Sequence, residues 1–178
     1  PQNGSTFNSG TDIYVTKFNS TGTALIGSTY IGGSANDGAN YNITTTLYDS
    51  LMFNYGDQFR GEIYVDSLDN VYVTSCTQSS DFPTVNAFQP TYGGRQDAVV
   101  FKFNNNLSSL IFSTYVGGSG GDAGYGLKLD PKLNVYFTGG TNSADFPTTP
   151  GSYDPIYNGG KGDAFIASLS ADGDSLYN

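Results

Sequence analysis

The sequence predicts an all-β protein made of repeated sheets of four antiparallel strands. Three observations predict it. Runs rich in Val, Tyr, Phe, Ile and Thr are bounded by clusters of Gly, Asn, Asp and Pro, which is strand-and-turn chemistry. The same runs return in the same order at fixed distances, which marks a repeat architecture. No segment carries helical periodicity with caps. Composition agrees, with 24 Gly, 14 Tyr and 12 Phe in 178 residues, and with Glu62 the single Glu among 16 acids. Asp is a turn and cap residue, whereas Glu favours helix surfaces.

The repeat sets the elements in order. Asp12-Ile13-Tyr14-Val15-Thr16-Lys17-Phe18-Asn19 matches Asp97-Ala98-Val99-Val100-Phe101-Lys102-Phe103-Asn104, and Leu25–Ser34 matches Leu110–Ser119, both at an offset of 85. Val65–Thr74 matches Leu129–Thr138, and Ser80-Asp81-Phe82-Pro83-Thr84 matches Ala144-Asp145-Phe146-Pro147-Thr148, at an offset of 64. A third copy of the first run begins at Asp163. The first strand of a unit is Glu62–Asp66 or Leu127–Asp130, and the second is Val71–Cys76 or Val135–Gly139. The third is Ile13–Phe18, Ala98–Phe103 or Ala164–Leu169, and the fourth is Leu25–Ile31 or Leu110–Val116. Runs such as Ala98-Val99-Val100-Phe101 are apolar on both faces, so each sheet is expected to lie between other sheets. Four antiparallel strands at a period of about 65 residues describe a β-propeller blade. The chain then divides into 1–38, the outer half of one blade; 39–59, an inserted hairpin; 60–122, a complete blade; and 123–178, most of a further blade. This is an incomplete ring of about two to two and a half blades. Further blades of the same protein, or neighbouring chains, are the expected partners at both ends.

The insertion is the part that the repeat leaves unexplained. Tyr41, Ile43, Thr45 and Leu47 alternate with polar Asn42, Thr44 and Thr46, and beyond Tyr48-Asp49-Ser50 the residues Leu51, Phe53 and Tyr55 alternate with Met52 and Asn54. Period two on both sides of a polar break reads as a β-hairpin. Its apolar face, Tyr41, Ile43, Leu47, Leu51, Phe53 and Tyr55, covers either the propeller rim or a partner.

Charge and composition exclude several functions. Sixteen acids against 7 bases leave a net charge of −9, which repels phosphate backbones and argues against nucleic-acid binding. There is no His, which removes imidazole metal sites and His-dependent triads. Cys76 is the only Cys, so no internal disulfide forms. No apolar run is long enough to insert into a membrane as a helix.

The combination of Asp-Ala-(apolar)₂ at Asp97, Ser-Thr-Tyr-Val-Gly-Gly-Ser at Ser113, Val-Asp-x-x-x-Asn-Val-Tyr-Val-Thr at Val65 and Asp-Phe-Pro-Thr at Asp81 resembles the SBBP-type bacterial β-propeller repeat. The resemblance implies a segment of a large secreted or cell-surface bacterial protein, of the kind associated with gliding motility and type IX secretion. It supplies no catalytic residues and no cofactor. In such bacteria Asp-Ser-apolar is an O-glycosylation signal, which would point to Ser50, Ser67 and Ser175.

The remaining motifs carry structural and chemical readings side by side. Asp66…Asn70 and Asp130…Asn134 are either hairpin turns in which Asp caps N–H groups or Ca²⁺ loops, although no bidentate Glu follows. Asp81-Phe82-Pro83 and Asp145-Phe146-Pro147 read as a turn-stabilising Asp, a Phe plugging the gap between blades, and a direction-fixing Pro. Gly32-Gly33-Ser34 and Gly117-Gly118-Ser119 read as connections between blades, because neither continues into a phosphate loop. Three functions follow. The first is a non-enzymatic extracellular scaffold or adhesin segment. The second is a glycan- or ligand-binding propeller using loop aromatics such as Tyr92, Tyr153 or Tyr157. The third is an Asp/Tyr-dependent glycoside hydrolase.

Overall fold

The computed structural model describes residues 10–39, 59 and 61–177. It is all-β, with no helix among those residues. Among the described residues nine strands form three sheets in which all neighbours are antiparallel. β1 (Ile13–Phe18) pairs with β2 (Leu25–Ile31). β3 (Glu62–Val65), β4 (Val71–Thr77), β5 (Asp97–Phe103) and β6 (Leu110–Val116) form a four-stranded sheet in sequence order. β7 (Asp122–Leu129), β8 (Val135–Thr141) and β9 (Asp163–Leu169) form a three-stranded sheet. The strands expected to begin at Leu127, Ala98 and Ala164 begin at Asp122, Asp97 and Asp163, because the backbone pairs on through those acids. The central sheet has the four antiparallel strands, in sequence order, that the repeat predicts for one unit.

One turn closes the hairpins β1–β2 and β5–β6. Asn19 Oδ1 accepts from the N–H groups of Thr23 and Ala24, and Asn104 Oδ1 from those of Ser108 and Ser109. After β9, Ser170 Oγ takes the same place against Asp174 and Ser175. Each turn needs one left-handed residue. Gly22 and Gly173 supply it without strain, at φ 71° and 78°. Leu107 supplies it at φ 60°, which costs a residue with a Cβ roughly 1 kcal/mol or more. Its side chain offsets that cost by burying itself beside Phe101 and Phe103.

Stacking follows from strand alternation. In β5, Val99, Phe101 and Phe103 face the first sheet and pack with Val15 and Ile31. Ala98 and Val100 face the other way and pack with Leu127, Phe137, Phe165 and Ala167 of the third sheet. All seven residues of β5 are buried. Lys102 shares the second face and lies 4.7 Å from the Tyr72 ring centroid, so its charge is held over the ring rather than in open solvent.

Two features went unforeseen in the sequence. The segment from Gln78 to Gln96 runs along the outer edge of β6. Val85 and Ser113 exchange two backbone hydrogen bonds, and Tyr115 N donates to Gln89 O. The edge of the central sheet is thereby covered, which removes a site for unwanted strand pairing. The second feature is a β-bulge in β7, where the register shifts between Gly124 and Gly126. In the central sheet the corresponding stretch begins with the Asp37–Thr77 bridge and resumes with Glu62 opposite Thr74. The extra residues of 39–59 therefore enter where the sister sheet has its bulge, and Ala39 and Phe59 pair at their base. Tyr41, Ile43, Leu47, Leu51, Phe53 and Tyr55 lie outside the described residues.

Burial fixes the expected mutational pattern. Phe101→Ala removes a fully buried ring shared by two sheets and should cost about 3–5 kcal/mol. Tyr14→Ala, at a position 71% exposed, should stay within about 0.5 kcal/mol. Chemical denaturation of both variants checks this.

Candidate functional site

The polar residues common to the repeats converge on the junctions between sheets. After β2 the chain turns through Gly32-Gly33-Ser34, and after β6 through Gly117-Gly118-Ser119. Gly33 N donates to Asp37 Oδ2 at 2.8 Å, and Gly118 N to Asp122 Oδ2 at 2.8 Å. Ser34 donates through both N and Oγ to Asp81 Oδ1, at 2.8 and 3.0 Å. Ser119 makes the same two bonds to Asp145 Oδ1 at the same distances. Ser79 Oγ accepts from Ala35 N and donates to Asp37 Oδ2, while Ser143 Oγ accepts from Gly120 N and donates to Asp122 Oδ2. Thr77 Oγ1 completes the first network with a short bond to Asp37 Oδ1.

The glycines are required by close approach. A Cβ on Gly117 would lie 2.7 Å from Asp97 Oδ1 and 2.8 Å from Asp122 Oδ2. On Gly32 it would lie 2.6 Å from Asp12 Oδ1 and 2.8 Å from Asp37 Oδ2. The Gly-Gly-Ser N–H groups thus form an anion-binding concavity whose anion is the protein's own carboxylate. They are not open to a phosphate.

Charge state follows from burial. Asp37, Asp97 and Asp122 are all essentially closed to solvent. Burial pushes the Asp97 carboxyl up to about 7; the Gly93 N–H opposes this and the neighbouring Asp122 charge adds to it. Burial likewise pushes Asp37 up to about 6, against its bonds from Thr77, Gly33 and Ser79. Asp122 is also raised by burial. At the solvent-facing rim, donors from Ser34 and Ser119 hold Asp81 and Asp145 below the ordinary carboxylate range.

The residues singled out in the sequence fall as follows. Asp66 Oδ1 accepts from the N–H groups of Leu68 and Asn70, and its Oδ2 accepts from Asn70 Nδ2 and Tyr72 Oη. Asp130 repeats this with Lys132 and Asn134. These carboxylates are filled by donors, and no group of three or more metal-ligating side chains occurs among the described residues. Asp81 and Asp145 reach out of their own connections to the preceding Gly-Gly-Ser, rather than only bracing a local turn. Phe82 packs against Phe101 and Tyr115, and Phe146 lies 4.5 Å from Phe165 between ring centroids. The Pro83 carbonyl accepts from Ser113 Oγ at 2.7 Å, and Pro147 lines a groove beside β9. Tyr92 is not an open ligand platform, because its ring is half-buried 5.8 Å from Tyr115. Tyr153 is fully exposed, and Tyr157 is half-buried with its hydroxyl donating to Gly160 O. Ser67 and Ser175 are exposed in turns, and Ser50 lies outside the described residues. Cys76 is buried beside Ala123. Sequence reasoning gave no role to Asp37, Asp97 or Asp122. Their signal was the 85-residue offset, which places an Asp at 37 and 122 and at 12 and 97.

Residues 111–147 match the family model described as SBBP, beta-propeller repeat. The match runs from within β6, through the second Gly-Gly-Ser junction and β7–β8, to Pro147 of the Asp-Phe-Pro motif. Over this stretch the chain is similar to an SBBP β-propeller repeat. No curated protein matches the chain.

The raised and lowered carboxyls predict a pH profile. Between about pH 4 and 7 the folded chain retains protons on Asp97 and Asp37 that the unfolded chain releases, so their contribution to stability falls as pH rises through that window. Asp81 and Asp145 act oppositely, and their contribution is lost as pH falls below about 4. The melting temperature should therefore peak in mildly acidic buffer and decline toward pH 8. Asp97→Asn keeps an acceptor for Gly93 and should flatten the decline; an unchanged slope in a pH series of thermal melts would contradict the assignment.

Proposed function

We propose that this chain is a non-enzymatic scaffold or adhesin segment of an extracellular, bacterial cell-surface protein. The carrying observation is that the polar residues shared by the repeats are consumed in joining one sheet to the next. The Asp97/Asp122 pair has two carboxyls of the kind glycosidases use, but both are closed to solvent, so a glycan cannot reach them. The β-propeller repeat matched at 111–147 supports a repeat module that stacks and binds rather than reacts. Variation is left to the insertion and the outer connections, where specificity on a repeat scaffold resides. The partner-binding role of Tyr41–Tyr55, and O-glycans at Ser50, Ser67 or Ser175, belong to this same reading. Leu68, 68% exposed, puts the apolar residue of the Asp66-Ser67-Leu68 signal in the open.

A glycan-binding module is the second reading, favoured by the fully exposed Tyr153 and by Ile156, 71% exposed, on one connection. Beads coated with the chain should adhere to cell surfaces, and Tyr153→Ala should leave that adhesion unchanged. Retention on a glycan array that Tyr153→Ala abolishes would shift the assignment to glycan binding. Release of sugar from the array would overturn the non-enzymatic reading.

A further inference from the structure

The junction between the central and third sheets lies inside the chain, with described structure on both sides of it. Asp97, at the start of β5, is closed to solvent there, and its two carboxyl oxygens are treated differently. Oδ2 accepts from Gly93 N at 2.8 Å and from Gln89 Nε2 at 3.3 Å. Oδ1 is just as buried and has no hydrogen-bond donor. It points across Gly117 toward a second buried acid. The place that a Cβ on Gly117 would take lies 2.7 Å from Asp97 Oδ1 and 2.8 Å from Asp122 Oδ2.

Nothing in the junction answers that oxygen. An ionised carboxylate only accepts, so Asp122 cannot satisfy Asp97. The charges that act on Asp97 are those of Asp122 and Asp145, both negative. Lys17 and Lys128 are engaged elsewhere, with Asp69 and Glu62. Two buried like charges this close call for a positive one between them. The pairing of acids is also not an accident of one joint. A Cβ on Gly32 would lie 2.6 Å from Asp12 Oδ1 and 2.8 Å from Asp37 Oδ2, so the preceding junction repeats the arrangement.

We propose that Asp97 and Asp122 form a Ca²⁺ site that clamps the central sheet to the third. The two carboxylates supply the charged ligands. Neutral oxygens stand beside them: Gln89 Oε1, which accepts from Gly117 N at 3.1 Å, and Gly117 O, 3.0 Å from the place of a Cβ on Gly93. These are hard oxygen donors, which suit Ca²⁺ and not thiolate-seeking metals. Ca²⁺ accepts irregular sets of oxygens, whereas Mg²⁺ demands octahedral geometry and keeps its waters, which a closed junction does not admit. Its two positive charges match two carboxylates. Asp97 opens β5 and Asp122 opens β7, so the ion belongs to neither sheet alone. The inference goes beyond the scaffold reading, because it makes the stacking of repeats depend on calcium.

Calorimetric titration of the metal-free 178-residue chain with CaCl₂ tests it. Saturable binding with a Kd below about 1 mM is expected, as for other Ca²⁺-dependent modules outside the cell. Binding should release protons at about pH 7 and raise the melting temperature. Asp97→Asn keeps an acceptor for Gly93 but loses the charge, and should remove one bound ion per chain. Asp154→Asn, at an exposed acid, should leave binding unchanged. Carboxyl carbon-13 spectra of the unaltered chain need no variant to fold: Ca²⁺ should move the Asp97 and Asp122 resonances at concentrations that leave exposed Asp154 and Asp174 in place. No binding at about 10 mM Ca²⁺, well above the range of such sites, would overturn the proposal. So would an equal rise in melting temperature with Mg²⁺, binding that Asp97→Asn leaves intact, or carboxyl shifts confined to the exposed acids. Bead adhesion at a fixed Ca²⁺ concentration reads the scaffold assignment separately, so either result can fail without the other.

Discussion

Everything in this molecule depends on sheets that are apolar on both faces. A sheet with one apolar face can put the other in water. β5, with Val99, Phe101 and Phe103 on one side and Ala98 and Val100 on the other, has no such option. Burial of apolar area is non-directional, so it does not by itself choose a geometry. The choice is made by alternation along the strand, which sends odd-numbered side chains to one neighbour and even-numbered ones to the next. One sheet can then satisfy itself only between two others, and stacking becomes an obligate property of the repeat.

Stacking creates a polar problem that the junctions solve. The chain must cross from the outer strand of one sheet to the first strand of the next while passing through buried space. Its N–H groups there have neither a ladder partner nor water, and leaving such a donor unpaired costs about 1–3 kcal/mol. Asp37 and Asp122 supply the acceptors, and Ser79 and Ser143 relay them to the following residues. Acids serve better than amides because an ionised carboxylate offers acceptor sites only. The consequence is an accumulation of carboxyls around Gly32 and Gly117, where close contact tolerates no side chain. Burial and mutual repulsion then raise the inner acids, Asp37, Asp97 and Asp122, whereas the rim acids Asp81 and Asp145 stay low because Ser34 and Ser119 donate to them. One junction thus holds acids of the same chemical type whose carboxyls are shifted in opposite directions.

The strands were legible because their signal is local. Alternation, turn residues and the offsets of 85 and 64 place Leu25–Ile31 and Leu110–Val116 at the ends the structure gives them. The Asn19 and Asn104 turns recur at the same offset of 85, but their Asn-capped form emerged only from the structure. The junction chemistry was not legible, because Asp37 and Ser79 are 42 residues apart and meet only after two sheets have stacked. Tyr92 was misjudged for a related reason. A Tyr between Thr and Gly-Gly looks like an exposed loop residue until the 78–96 segment is seen lying against β6. The insertion was located by arithmetic, but its placement at the bulge position of the first strand required the register of β7. A bulge already leaves one residue outside the ladder, so a longer excursion there disturbs the fewest hydrogen bonds.

The stretch that matches the β-propeller repeat, 111–147, is out of phase with the sheets. It begins inside the fourth strand of one and ends after the second strand of the next. It contains no complete sheet. It does contain Gly117, Gly118, Ser119, Asp122, Ser143 and Asp145, which are the members of one junction network. A four-stranded sheet with two apolar faces can be made by many sequences, since packing tolerates hydrophobic exchange of similar volume. A crossing with five N–H and hydroxyl donors converging on three side chains tolerates far less, because loss of the inner acceptors Asp122 or Ser143 strands a donor away from water. The matched stretch therefore carries one whole joint and no whole sheet, and the sheets on either side follow from what the joint connects.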